Sequence, residues 1–76
     1  MSWEEEIRID PKVQGGKPVI RGTRVPVEVL VRAIAAGDEV AEAAAAYRVS
    51  EAQVRAALGY AAHVVASEHA ILLAGE

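Results

Sequence analysis

The chain predicts a mainly α fold: a short N-terminal β-ribbon, then a three-helix, helix-turn-helix-like domain of homeodomain or winged-helix type with a long C-terminal helix. Three observations carry this. Residues 15–27, Gly15-Gly16-Lys17-Pro18-Val19-Ile20-Arg21-Gly22-Thr23-Arg24-Val25-Pro26-Val27, hold two short apolar pieces around a Gly-Thr step. From Val27 onward apolar residues recur at helical spacing. A three-residue break, Arg48-Val49-Ser50, separates the last two helical segments and carries a helix-start signature. The expected organisation is a flexible arm over 1–6 and a single domain over 7–76, with the ribbon at 7–26 and helices at about 27–36, 39–47 and 51–73.

Taken in order, Met1 to Glu6 is a charged arm with one tryptophan, Trp3, expected to tuck against the domain edge or a partner. Ile7-Arg8-Ile9 alternates as a short strand does, and Asp10 is placed for an Asx turn before Pro11. Gly15-Gly16 reads as a connection. Pro18 and Pro26 push Lys17 and Val25 toward extended geometry. Gly22 is expected at positive φ in the first central position of a type II′ turn. Val27, Leu30, Val31 and Ile34 form one apolar helix face, and Glu28 and Arg32 pair at i, i+4 on the other. Gly37 is the expected left-handed stop, with Asp38 capping the second helix.

In the second helix Val40, Ala43, Ala44 and Tyr47 repeat the same spacing. Ser50 with Gln53 makes a capping box, and Val49 with Val54 the matching hydrophobic staple. Arg48 stands where a turn glycine is usual. The third helix is apolar nearly all round from Ala56 to Ala66, apart from Gly59, Tyr60 and His63. A helix apolar on every side needs cover on every side. The expectation is a homodimer, with Leu58, Tyr60, Ala61, Val64 and Val65 at the interface and Gly59 permitting close approach.

Composition sets limits. A chain of 76 residues makes one domain, and 53% of it is apolar with no Phe. A chain this short buries only about 60–65% of the surface its unfolded form exposes, so sharing surface with a second copy is favoured. No cysteine is present, which excludes disulfides and thiolate chemistry. Glu4-Glu5-Glu6 stands where a signal peptide needs positive charge, and His63, Ser67, Glu68 and His69 argue against a membrane span. The expected setting is the cytoplasm. Net charge is −3, yet residues 7–26 set Arg8, Lys12, Lys17, Arg21 and Arg24 against Asp10 alone, a local balance of +4. The last 21 residues contain no Lys or Arg. One basic face on an acidic chain fits an anionic partner; a plain solvated ribbon is the other reading.

Enzyme chemistry finds no foothold. His63 and His69 are six residues apart and point about 240° around a helix, so they cannot share a metal. The carboxylates are dispersed, Ser50 is explained as a cap, and no phosphate-binding loop precedes a helix. No enzyme, cofactor or metal is expected.

Ile9-Asp10-Pro11, Gly16-Lys17-Pro18-Val19-Ile20 and Gly22-Thr23-Arg24-Val25-Pro26-Val27 resemble the opening of the domain-of-unknown-function 433 family. Ala36-Gly37 and Ala56-Ala57-Leu58-Gly59-Tyr60-Ala61 continue the resemblance over roughly Ile7 to Ala62. It implies a helix-turn-helix-like protein similar to VapB-type antitoxins, the partners of PIN-like ribonuclease toxins. Two functions follow as expectations. In the first, the chain binds double-stranded DNA through the start of the third helix, Arg55 reading guanine and Gln53 adenine. Lys17, Arg21, Thr23 and Arg24 of the ribbon then supply backbone contacts, while Glu51 opposes them. In the second, the same surface neutralises a PIN-like nuclease without DNA, an arginine reaching its carboxylate-lined pocket.

Overall fold

Val19–Ile20 is the central strand of the ribbon in the computed structural model, which describes the backbone of residues 3–74 and the side chains of residues 3–68. This strand, β2, runs antiparallel to β1 (Ile7–Arg8), with Ile7 opposite Ile20 and Arg8 opposite Val19. On its other edge a bridge joins Val19 to Pro26. There Val27 N–H donates to Pro18 O and Ile20 N–H donates to Val25 O, each at 2.9 Å. Paired on both edges, Val19 and Ile20 are fully buried.

Gly22 has φ +77°, so the demand for a glycine holds. Its place in the turn differs from expectation. Thr23 N–H donates to Ile20 O at 3.0 Å, which makes Gly22 the second central residue of a turn over Ile20 to Thr23. Positive φ at that position defines a type II turn, not type II′. The physical reason is loop length: four residues, not two, separate Ile20 from its partner Val25. The primed twist that a two-residue hairpin requires is therefore not imposed.

Helix α1 spans Val27–Ala35 and buries Val27 and Leu30. It closes with Gly37 at φ +108°. Gly37 N–H donates to Ile34 O and Asp38 N–H to Ala33 O, both at 3.0 Å, the two bonds of a Schellman motif. Asp38 is thereby committed to the end of α1. The cap of α2 (Val40–Tyr47) is Glu39 instead, whose N–H donates to the Glu42 carboxylate at 2.8 Å. In α2, Ala43 and Ala44 are buried, while Tyr47 lies mostly outside the core face its spacing predicts.

The end of α2 repeats the motif with an arginine. Arg48 adopts φ 57° and ψ 44°; its N–H donates to Ala45 O at 3.4 Å, and Val49 N–H donates to Ala44 O at 3.0 Å. Then Ser50 N–H donates to Gln53 Oε1 at 2.8 Å and Gln53 N–H to Ser50 Oγ at 3.0 Å, the expected capping box. Helix α3 runs Glu51–Ala74. Its first turns carry buried Val54, Ala56 and Ala57. The core gathers Ile20, Val27, Leu30, Ala43, Ala44, Val54 and Ala57, with Val49 packed against it.

The arm brings Trp3 against the domain edge, one of the two places expected for it. Trp3–Glu5 is a 3-10 turn, closed by Glu6 N–H to Trp3 O at 3.0 Å and tied to the ribbon by Arg21 N–H to Glu6 O at 2.8 Å. The Trp3 ring meets Tyr60 edge-on at 5.1 Å and His63 at 5.0 Å. The indole lies over Gly59, where a Cβ would meet Trp3 Cδ1 at 3.4 Å, an ordinary contact distance. Burial of an indole is the term that can offset the ordering cost of such a short segment. Met1 and Ser2 lie outside the described residues.

Candidate functional site

The basic side chains of the ribbon do not form one cluster. Lys17 Nζ is 2.8 Å from Glu28 Oε1 and Arg32 is 3.4 Å from Glu28 Oε2, so Lys17 faces α1. Arg21 turns the other way: its Nη1 donates to Glu5 O at 3.3 Å, in a shallow depression with Glu4, Glu5, Ile7 and Arg8. Arg24 anchors the loop through its backbone, accepting from Gln14 Nε2 at 3.1 Å. No hydrogen bond or ion pair engages its guanidinium among the described residues.

Thr23 is occupied by structure. Its hydroxyl donates to Ile20 O at 2.8 Å and accepts from Val25 N–H at 3.0 Å, locking the turn. Gln53 is likewise engaged, its Oε1 bound to Ser50 N–H. A bidentate contact to adenine needs both ends of the amide, so the capping box and base reading compete for one side chain. Arg55 is exposed but 3.4 Å from Glu51 Oε1. Such an exposed i, i+4 pair is weak and easily displaced.

Arg48, outside the set of binding candidates read from the sequence, is exposed as the basic ones among them are. Its exposed side chain has no hydrogen-bond or ion-pair partner among the described residues, in the turn just ahead of α3. The available signal was the arginine itself, occupying a position that favours glycine. Lys12, Arg21, Arg24 and Arg48 have no ion pair among the described residues, and of these only Arg21 has a side-chain hydrogen bond, to the neutral Glu5 carbonyl.

The structure joins two sets of residues the sequence kept apart. Lys17 of the ribbon and Tyr60, Ala61, Val64 and Val65 of α3 line one apolar groove of about 460 Å³, floored by Val27 and Val31 of α1. Glu28 and Arg32 complete its rim. Leu58, expected on the same interface, is half-buried and outside this groove. Lys17, through its hydrogen bond and its charge, holds the Glu28 carboxyl below its ordinary pKa, and Arg32 adds to this. At the other end of the ribbon, the Lys12 N–H bound to Asp10 at 2.9 Å, with help from Arg8, does the same for Asp10.

Among the described residues no three His, Asp or Glu side chains are grouped to hold a metal ion. No described helix is long and apolar enough to cross a membrane.

A family model covers most of the chain. Residues 7–61 match the family described as "Protein of unknown function (DUF433)". An uncharacterized protein from Archaeoglobus fulgidus is 57% identical over 28 residues, which cover 37% of this chain and 78% of that protein. No solved structure matches. With the match running from the first strand through the buried turns of α3, the chain belongs to the DUF433 family.

Proposed function

We propose that this chain is a small DNA-binding regulator, the antitoxin of a pair whose toxin is a PIN-like nuclease. The observation that carries the reading is the corner formed by α2, residues 48–50 and α3, with the unneutralised Arg48 in its turn and Arg55 one turn into the following helix. Arg24, also unneutralised, adds a phosphate contact from the ribbon. Affinity in this reading comes from backbone charge more than from base contacts, because Gln53 is held by its cap.

A second reading has its own support. Asp38, Glu39, Glu42 and Glu51 are exposed on or beside the same two helices and oppose a phosphate backbone. In that reading the corner is structural, and the chain neutralises the nuclease through protein contacts alone.

Fluorescence anisotropy with a labelled random duplex at two salt concentrations separates the readings. Three phosphate contacts give a log–log salt slope of about −2.7, and Arg24→Ala flattens it by about one unit. No binding at low salt, with nuclease inhibition retained in wild type and lost in Arg24→Ala, selects the second reading.

A further inference from the structure

From Ala62 to Glu68 every residue of α3 is exposed, including Val64 at 41% and Val65 at 65%. Tyr60, Val64 and Glu68 follow one another at four-residue spacing and make a ridge of the kind that seats in the groove of another helix. Grooves flank it on both sides. One is the groove against α1 described above; the other, of about 430 Å³, lies between the ridge and Trp3 with His63 and Ser67. Tyr60 and Val64 line both.

We infer that the occupant of the α1-side groove is a second copy of this chain, with the two α3 helices crossing so that each Tyr60–Val64 ridge seats in the other's groove. Shape is the first reason. A ridge beside a groove on one surface is self-complementary, which a two-fold interface requires. Charge is the second. The rim carries Lys17 and Arg32 around the single carboxylate of Glu28, so one cation is left over. The chain from Ala56 onward has no Lys or Arg, and its ridge ends in Glu68. The part of a second α3 that follows Arg55 therefore brings the carboxylate the rim lacks and no Lys or Arg to oppose it. This inference stands apart from the DNA reading, which uses the corner around Arg48 and not this face.

Sedimentation equilibrium on the full chain tests it. Wild type is expected to be dimeric in the micromolar range. Val65→Glu is expected to raise the dimer dissociation constant about 100-fold or more, because an unpaired charge enters an apolar contact. Its circular dichroism melt in dilute solution stays that of the wild-type monomer. Lys17→Glu and Glu68→Lys are each expected to weaken association about tenfold, and the double variant to recover most of it, as a pair that meets across the interface does. A wild-type chain still monomeric at about 100 μM overturns the inference. A dimer indifferent to Val65→Glu, or a double variant no better than its singles, overturns the assigned groove and charge pairing. A monomer that co-purifies with a different protein, released by Val65→Glu, overturns the second copy as occupant.

Discussion

The two halves of α3 are both rich in alanine and valine and live in different surroundings. Between Glu51 and Ala61 one side of the helix packs against α1, α2 and the ribbon, and Val54 is fully buried. Between Ala62 and Glu68 it carries the same alanines and valines, and Val65 is 65% exposed. Apolar composition states that a surface must be covered; it does not say by what. Beyond the inner half its own chain supplies little cover apart from Trp3 against His63, so apolar character measures the stability of the monomer mainly in the inner half.

The sharpest way to break this comparison is to place a carboxylate in each half. Val54→Asp puts a charge into a site without a partner and is expected to cost about 3–5 kcal/mol, enough to unfold much of the population. Val65→Glu in dilute solution is expected to change stability by no more than about 0.5 kcal/mol. Urea denaturation of both variants at low protein concentration makes the measurement. Equal losses would mean that the outer half is covered within the monomer and that the contrast is false.

Trp3 marks the boundary between the halves. Its ring covers α3 at Gly59, Tyr60 and His63, where enclosure by the other elements ends. Trp3→Ala is expected to destabilise by about 1–2 kcal/mol, less than for a fully buried ring because one face stays open. Amide exchange at residues 59–63 is expected to quicken more than exchange at Val54. A uniform effect along the helix would place Trp3 in the general core instead of at an edge.

What could be read in the sequence follows the same division. Where a structural rule spans a few neighbouring residues, the reading mostly holds, the exception being Asp38, which the end of α1 takes from the α2 cap. Ser50 with Gln53 fixes the start of α3, Gly37 stops α1, and Asp10 makes its Asx turn with Lys12. Where an outcome depends on distant contacts, it does not. That Trp3 tucks against the domain edge was legible, but its seat over Gly59, Tyr60 and His63 was not, and the type of turn at Gly22 depended on which residues pair across it. The candidate site fared likewise. Thr23 and Gln53 have side chains suited to binding, yet local hydrogen bonds had a prior use for both. The groove was invisible because Lys17 and Val64 are far apart in the chain and meet only through α1.

Arg48 tests this at the inner end of α3. It closes α2 with the bonds that Gly37 makes for α1, but a side chain at φ 57° carries a strain that glycine does not. Arg48→Gly is expected to raise stability by about 0.5–1 kcal/mol, the left-handed relief exceeding the greater entropy glycine gives the unfolded chain. Thermal melts of the variant check the gain, and duplex binding measured on the same sample is expected to fall. A gain in stability with binding unchanged would make the arginine a neutral occupant of the turn.

The smallest expected effect lies on the groove of the outer half. Lys17 and Arg32 hold the Glu28 carboxyl below its ordinary pKa in the folded chain, while in the unfolded chain that carboxyl titrates in the ordinary glutamate range. The folded state thus binds the proton less readily. The contribution of Glu28 is fully present above the ordinary range and is lost as pH falls through the depressed folded value. Because the pair is solvent-exposed, the effect is slight and salt weakens it further. The check is to compare Glu28→Gln with its parent, both in the Val65→Glu background so that association does not intrude. The difference in melting temperature is expected to be greatest near neutral pH, to narrow as the solution is acidified, and to shrink in high salt at neutral pH. A difference that widened on acidification would give Glu28 a raised pKa. It would place the carboxyl in an environment unlike the open cationic rim, and the outer groove would then be more enclosed than the exposure of Val65 implies.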